Sequence, residues 1–103
     1  MKDIVKRTIL RRAIARIEDP DKWTKCAFAR DVDGNNVTPR NPKAVCWCAE
    51  GAIETESIPS MPSWQVLCWM DTYIGSALYV INDKCGYQPV IDTMREILRK
   101  AGG

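Results

Sequence analysis

The segment from Asn41 to Ala52 constrains this chain most. Asn41 has a side chain suited to an N-cap, and Pro42 suits the first helical position. The residues that follow are apolar around most of a helical circumference and, apart from Trp47, mostly small. The pattern predicts a helix over residues 42–55 that lets neighbouring backbones approach closely. Gly51 inside it costs roughly 1 kcal/mol relative to Ala at an exposed helical site. Its presence predicts a close neighbour, either a backbone or a large ring such as Trp23 or Trp69.

Other periodicities surround that segment. Ile9, Leu10, Ala13, Ile14 and Ile17 recur on one face of a first helix over residues 3–18, with Arg7, Arg11, Arg12 and Arg16 outside the stripe. Asp19-Pro20 ends it, and Asp19 can cap a short turn that follows. Asp33-Gly34-Asn35-Asn36 is a turn signal, so a small irregular hairpin is expected within residues 24–40. The prolines at 59 and 62 break the chain, and Ser63 is the expected cap of a helix over residues 64–83. Cys85-Gly86 stops that helix, and a last one begins near Gln88 with Ile91, Met94, Ile97, Leu98 and Ala101 inward. The fold expected is mainly α: one compact four-helix domain over residues 1–103, with a small β-hairpin between helices 1 and 2.

The chain has no histidine, which removes Ser-His and Cys-His nucleophile pairs and His-containing metal sites. Its five cysteines, an odd number without a signal-peptide core, read as reduced and mostly buried thiols. Cys46 and Cys48 are the closest pair. On a helix they diverge by about 200°, so no metal site is expected. No apolar run approaches the roughly 20 residues that span a bilayer. A cytoplasmic protein without membrane contact is expected. Charge is segregated: residues 1–18 carry a net +4, whereas residues 46–83 hold five acids and no Lys or Arg.

A spaced pattern runs through most of the chain: Trp23, Ala29-Arg30-Asp31, Gly34, Ala44-Val45, Trp47-Cys48-Ala49, Gly51-Ala52 and Asn82-Asp83. It resembles a family of small bacterial and phage proteins of unknown function. The resemblance implies a single compact domain, often encoded on phages or mobile elements, and it supplies no catalytic residues.

Two groups of residues stand out as sites. Trp23, Arg30, Asp31, Asn82 and Asp83 lie at loops or element ends, where binding residues concentrate. An Arg beside a Trp can grip an anionic or planar group. The competing account is structural, with Arg30 pairing with Asp31 or Asp83. Arg7, Arg11, Arg12 and Arg16 form an alternative, a basic helix face for nucleic acid. Trp64, Trp69, Tyr73 and Tyr79 read as core, with Trp64 and Tyr79 as an alternative partner-binding patch. The function expected is a small non-enzymatic binding protein of bacterial or phage origin. It would be an accessory or anti-defence inhibitor that occupies a host protein or sequesters an anionic ligand, with no cofactor. Nucleic-acid binding stands second, and a small enzyme with a carboxylate/Arg pocket third.

Overall fold

A computed structural model describes residues 2–102. Helix α1 (Lys2–Ile17) buries Ile9, Leu10, Ala13, Ile14 and Ile17 while Arg11 and Arg12 stay exposed, as the periodicity predicts. Asp19 caps a single 3₁₀ turn (Pro20–Lys22) by accepting the Asp21 N–H at 2.9 Å. The hairpin is present: β1 (Ala29–Arg30) pairs antiparallel with β2 (Asn36–Val37). The Asp31 carboxylate closes its turn by accepting the backbone N–H groups of Asp33 and Asn35.

The segment 42–55 departs from expectation. Asn41 caps no helix. Its side chain accepts the Lys43 N–H at 2.8 Å, and Ala44 N–H donates to Asn41 O at 2.9 Å. Val45 N–H then donates to Arg30 O, and Cys46–Trp47 form β3 on the other edge of β1. The sheet order is β2-β1-β3. A free edge on β1 offers this run more hydrogen bonding than an isolated turn, and Val, Cys and Trp suit a pleated, half-buried surface. Only then does α2 (Ala49–Glu56) start, with Cys48 as N-cap accepting the Gly51 N–H on its Sγ at 3.2 Å. Gly51 is a packing position against backbone rather than a ring. A Cβ there would sit 2.0 Å from Phe28 O.

The expected helix over residues 64–83 is also divided. α3 (Ser63–Ile74) ends at Gly75, whose φ of +68° makes a left-handed C-cap. Pro62, not Ser63, holds the N-cap position, and the Ser63 hydroxyl donates to Glu54. A short α4 (Leu78–Val80) leads into a π turn (Ile81–Cys85), and α5 (Tyr87–Lys100) closes the chain. Among the described residues the result is mainly helical with five α-helices and three short strands, rather than four helices and a two-stranded hairpin. The core gathers α1, α2, α3 and α5 around Leu10, Ile17, Ile53, Met70, Ile91 and Met94. No helix among the described residues is long and apolar enough to cross a membrane.

Candidate functional site

The two halves of the expected loop cluster meet in part. Asn82 is completely buried on the π turn, a helical irregularity frequent at functional sites. Its Oδ1 accepts from Trp23 Nε1 at 2.7 Å and from Ala49 N–H at 3.0 Å. Its Nδ2 donates to Thr24 O at 3.2 Å and to Asp83 Oδ1 at 2.9 Å. Asp83 Oδ1 also accepts the Cys26 N–H at 3.0 Å, holding Cys26 at a φ of +63°. Trp23, Asn82 and Asp83 thus join the loop after α1, the start of α2 and the π turn.

Arg30 and Asp31 lie elsewhere in that network. Arg30 donates to Thr24 Oγ1, Lys25 O, Gly34 O and Asn36 Oδ1. Among the described residues it makes no ion pair, so neither Asp31 nor Asp83 is its partner. Its planar fork binds the hairpin to residues 24–25. Asp31 is held below its ordinary value by the hydrogen bonds of its own turn, the Asn35 N–H first.

The basic face of α1 divides as well. Arg7 donates to Ala101 O at the end of α5. Arg16 donates to Glu56 at 2.9 Å and lies 4.6 Å over the Trp47 ring. Arg11 and Arg12 remain exposed.

Beside the Asn82 network opens a cleft of about 790 Å³ between the hairpin, the start of α2 and the α4–π-turn segment. Phe28, Val37, Pro39, Glu50, Tyr79 and Asp83 line it. Phe28 and Tyr79 are 58% and 53% exposed, so two aromatic faces meet solvent. Glu50 is half-buried, and its Oε2 accepts the Tyr79 N–H at 3.2 Å. Burial, reinforced by the charges of Asp71 and Asp83, pushes its carboxyl above the ordinary range. Asp71 is raised by burial too, and its Oδ1 is buried without a hydrogen-bond partner among the described residues. A second depression of about 360 Å³ shares Phe28, Pro39 and Glu50 and continues to Glu54, Ser63 and Leu67.

Among the cysteines, only Cys48 is buried; Cys26, Cys68 and Cys85 are exposed and Cys46 is half-buried. The expectation of mostly buried thiols fails because three of the five sit in the surface loop after α1, on the outer side of α3 and at the end of the π turn. Cys48 lines the cleft, where burial pushes its thiol up to about 11. Its Sγ is occupied as the helix cap, accepting the Gly51 N–H. Cys46 and Cys48 lie on extended backbone, so the helical divergence inferred for them does not apply.

Phe28, Glu50 and Pro39 escape a reading that seeks polar residues in loops. The available signal was the stretch without Lys or Arg over residues 46–83, which contains Glu50. No curated protein and no solved structure matches the chain. The model of a family of unknown function (DUF6197) matches residues 1–97, and the chain belongs to that family.

Proposed function

We propose that the chain is a small non-enzymatic binding protein whose binding site is the cleft between the hairpin, α2 and the α4–π-turn segment. The observation that carries this reading is the pairing of two exposed aromatic rings, Phe28 and Tyr79, with a half-buried carboxylate, Glu50, in one concavity. Such a mixture of apolar wall and a few placed polar groups is the usual make-up of a ligand site. The Asn82 network supports it by tying Asp83 and Cys26, which line the cleft, to each other and to the start of α2. The ionisable groups of the cleft are acidic, which favours a protein partner over an anionic small molecule. A cytoplasmic accessory protein of bacterial or phage origin that occupies a host protein fits this reading.

The test is amide chemical-shift mapping of the full chain with a mixed set of acidic, neutral and basic aromatic fragments. Shifts concentrated at residues 26–28, 48–51 and 79–83 are expected. Shifts scattered over the surface, with none at those positions, would remove the cleft as the site.

The exposure of Arg11 and Arg12 favours one second reading, a nucleic-acid contact. Arg11 shares a shallow depression of about 300 Å³ with Arg95 and Arg99. Salt-sensitive retention on DNA that is lost in Arg11→Ala/Arg12→Ala would establish it.

A further inference from the structure

We infer that the cleft docks a cationic peptide segment of a partner protein, one presenting an Arg or Lys side chain beside an apolar one. The inference rests on the reading of the cleft as the binding site. Charge complementarity selects this occupant. Three other depressions on the molecule each include basic side chains with acids beside them: Arg11, Arg95 and Arg99 with Glu18 in one, Arg12, Arg16 and Lys22 with Glu56 in another, Lys100 with Asp92 and Glu96 in the third. The two adjoining depressions that share Phe28, Pro39 and Glu50 are lined by no basic side chain, although the chain as a whole is positive. Among the described residues Glu50, Glu54 and Asp83 form no ion pair. Glu50 is held half out of water beside Asp71 and Asp83.

The aromatic faces argue for the same ligand. A guanidinium or ammonium is attracted to an aromatic face, more strongly when partly desolvated. The chain already builds this arrangement internally, where Arg16 lies over Trp47 while donating to Glu56. The cleft offers the acceptor half of that arrangement, Glu50 with Phe28 and Tyr79, with no cation in it. Extent argues for a peptide rather than a lone amine. The two depressions together run from Asp83 and Tyr79 past Glu50 to Glu54 and Leu67, more than one side chain fills. The 63%-exposed Trp64 follows Ser63 at that far end.

The test uses the full chain and a short fluorescent peptide alternating Arg with Leu and Phe, against the same peptide with Gln for Arg. Anisotropy titrations at low and high salt, with amide shift mapping, give affinity and place. The Arg peptide is expected to bind about tenfold or more tightly than the Gln peptide and to weaken with salt. Its shifts should fall at residues 26–28, 48–51 and 79–83. Glu50→Gln should weaken it about tenfold without lowering the melting temperature, and Phe28→Ala, at an exposed position, should weaken it independently. Equal binding of both peptides at the cleft would overturn the cationic occupant and leave the cleft as a site. Shifts that avoid the cleft, or no binding of the Arg peptide while neutral fragments still bind there, would also overturn the inference. A dimer broken both by Glu50→Gln and by Arg11→Glu/Arg12→Glu would assign the cleft to a second copy and overturn it as well.

Discussion

Asn82 and Gly51 are both buried, and each fixes the start of α2, Asn82 through the Ala49 N–H and Gly51 against Phe28 O. The Asn82 carboxamide engages its oxygen twice and its nitrogen twice, so no polar capacity is left unpaired in a site without water access. Gly51 has no side chain, which lets Phe28 O approach the first turn of α2. The same carbonyl accepts Cys48 N–H at 3.2 Å, so it cannot retreat without opening the junction of sheet and helix. Gly51→Ala therefore reverses the usual helical preference. Instead of gaining roughly 1 kcal/mol, it should destabilise by about 1–3 kcal/mol through overpacking. Chemical denaturation of the two proteins checks this. A more stable Ala variant would mean that Phe28 does not press on α2. Arg30 is a residue-scale lesson of another kind. Its type and neighbourhood suggest a ligand clamp, but its fork is engaged by the Thr24 hydroxyl and Lys25 O before the hairpin and by Gly34 O and the Asn36 amide oxygen within it.

At the scale of elements, periodicity was a sound guide where a helix has one wet face. α1 is the clear case: Leu10 is fully buried and Arg11, one residue on, is exposed. Leu10→Ala should cost on the order of 2–5 kcal/mol, whereas Arg11→Ala should change stability by less than about 0.5 kcal/mol. Thermal melts of the pair decide it; similar losses for both would displace the assigned face. Periodicity misled where a segment is apolar on every side. Residues 44–48 have no polar member to distinguish period 3.6 from period 2, so their state depended on whether β1 had an edge to offer. The helix running through residue 75 was an error of a different kind. Gly75-Ser76 is a C-cap signal within the sequence, overridden by the apolar stripe from Val66 to Ile81.

For the molecule as a whole, the separation of charge has a thermodynamic consequence. Glu50 is raised above its ordinary value of 4.5, chiefly by burial and then by Asp71 and Asp83. A raised carboxyl binds its proton more tightly when folded. Its contribution to stability is therefore full below 4.5 and is lost as pH rises through the folded value. Glu50→Gln retains an oxygen for the Tyr79 N–H and removes the charge. Parent and variant should melt alike near pH 4, and the variant should become the more stable of the two by pH 7. Melting curves across that range read the difference directly; a parent that gains on the variant as pH rises would show that Glu50 is stabilised by a cation.

Local chemistry in the sequence determined α1 with its buried stripe, the Asp19-capped turn, the hairpin turn after β1 and most of α5. In each, a period with one polar face or a turn residue makes the choice within a few neighbours. The sequence also determined the segregation of charge and the need for a close neighbour at Gly51. Only the tertiary structure decided that Cys46–Trp47 become a strand, that Cys48 becomes a cap and that Phe28 O is the neighbour of Gly51. It alone gathered Phe28, Glu50 and Tyr79 into one cleft, from positions up to 51 residues apart. The physical reason is that strand edges, close approaches and concavities are properties of pairs of segments. Their energies depend on partners distant in the chain, which local propensity does not contain.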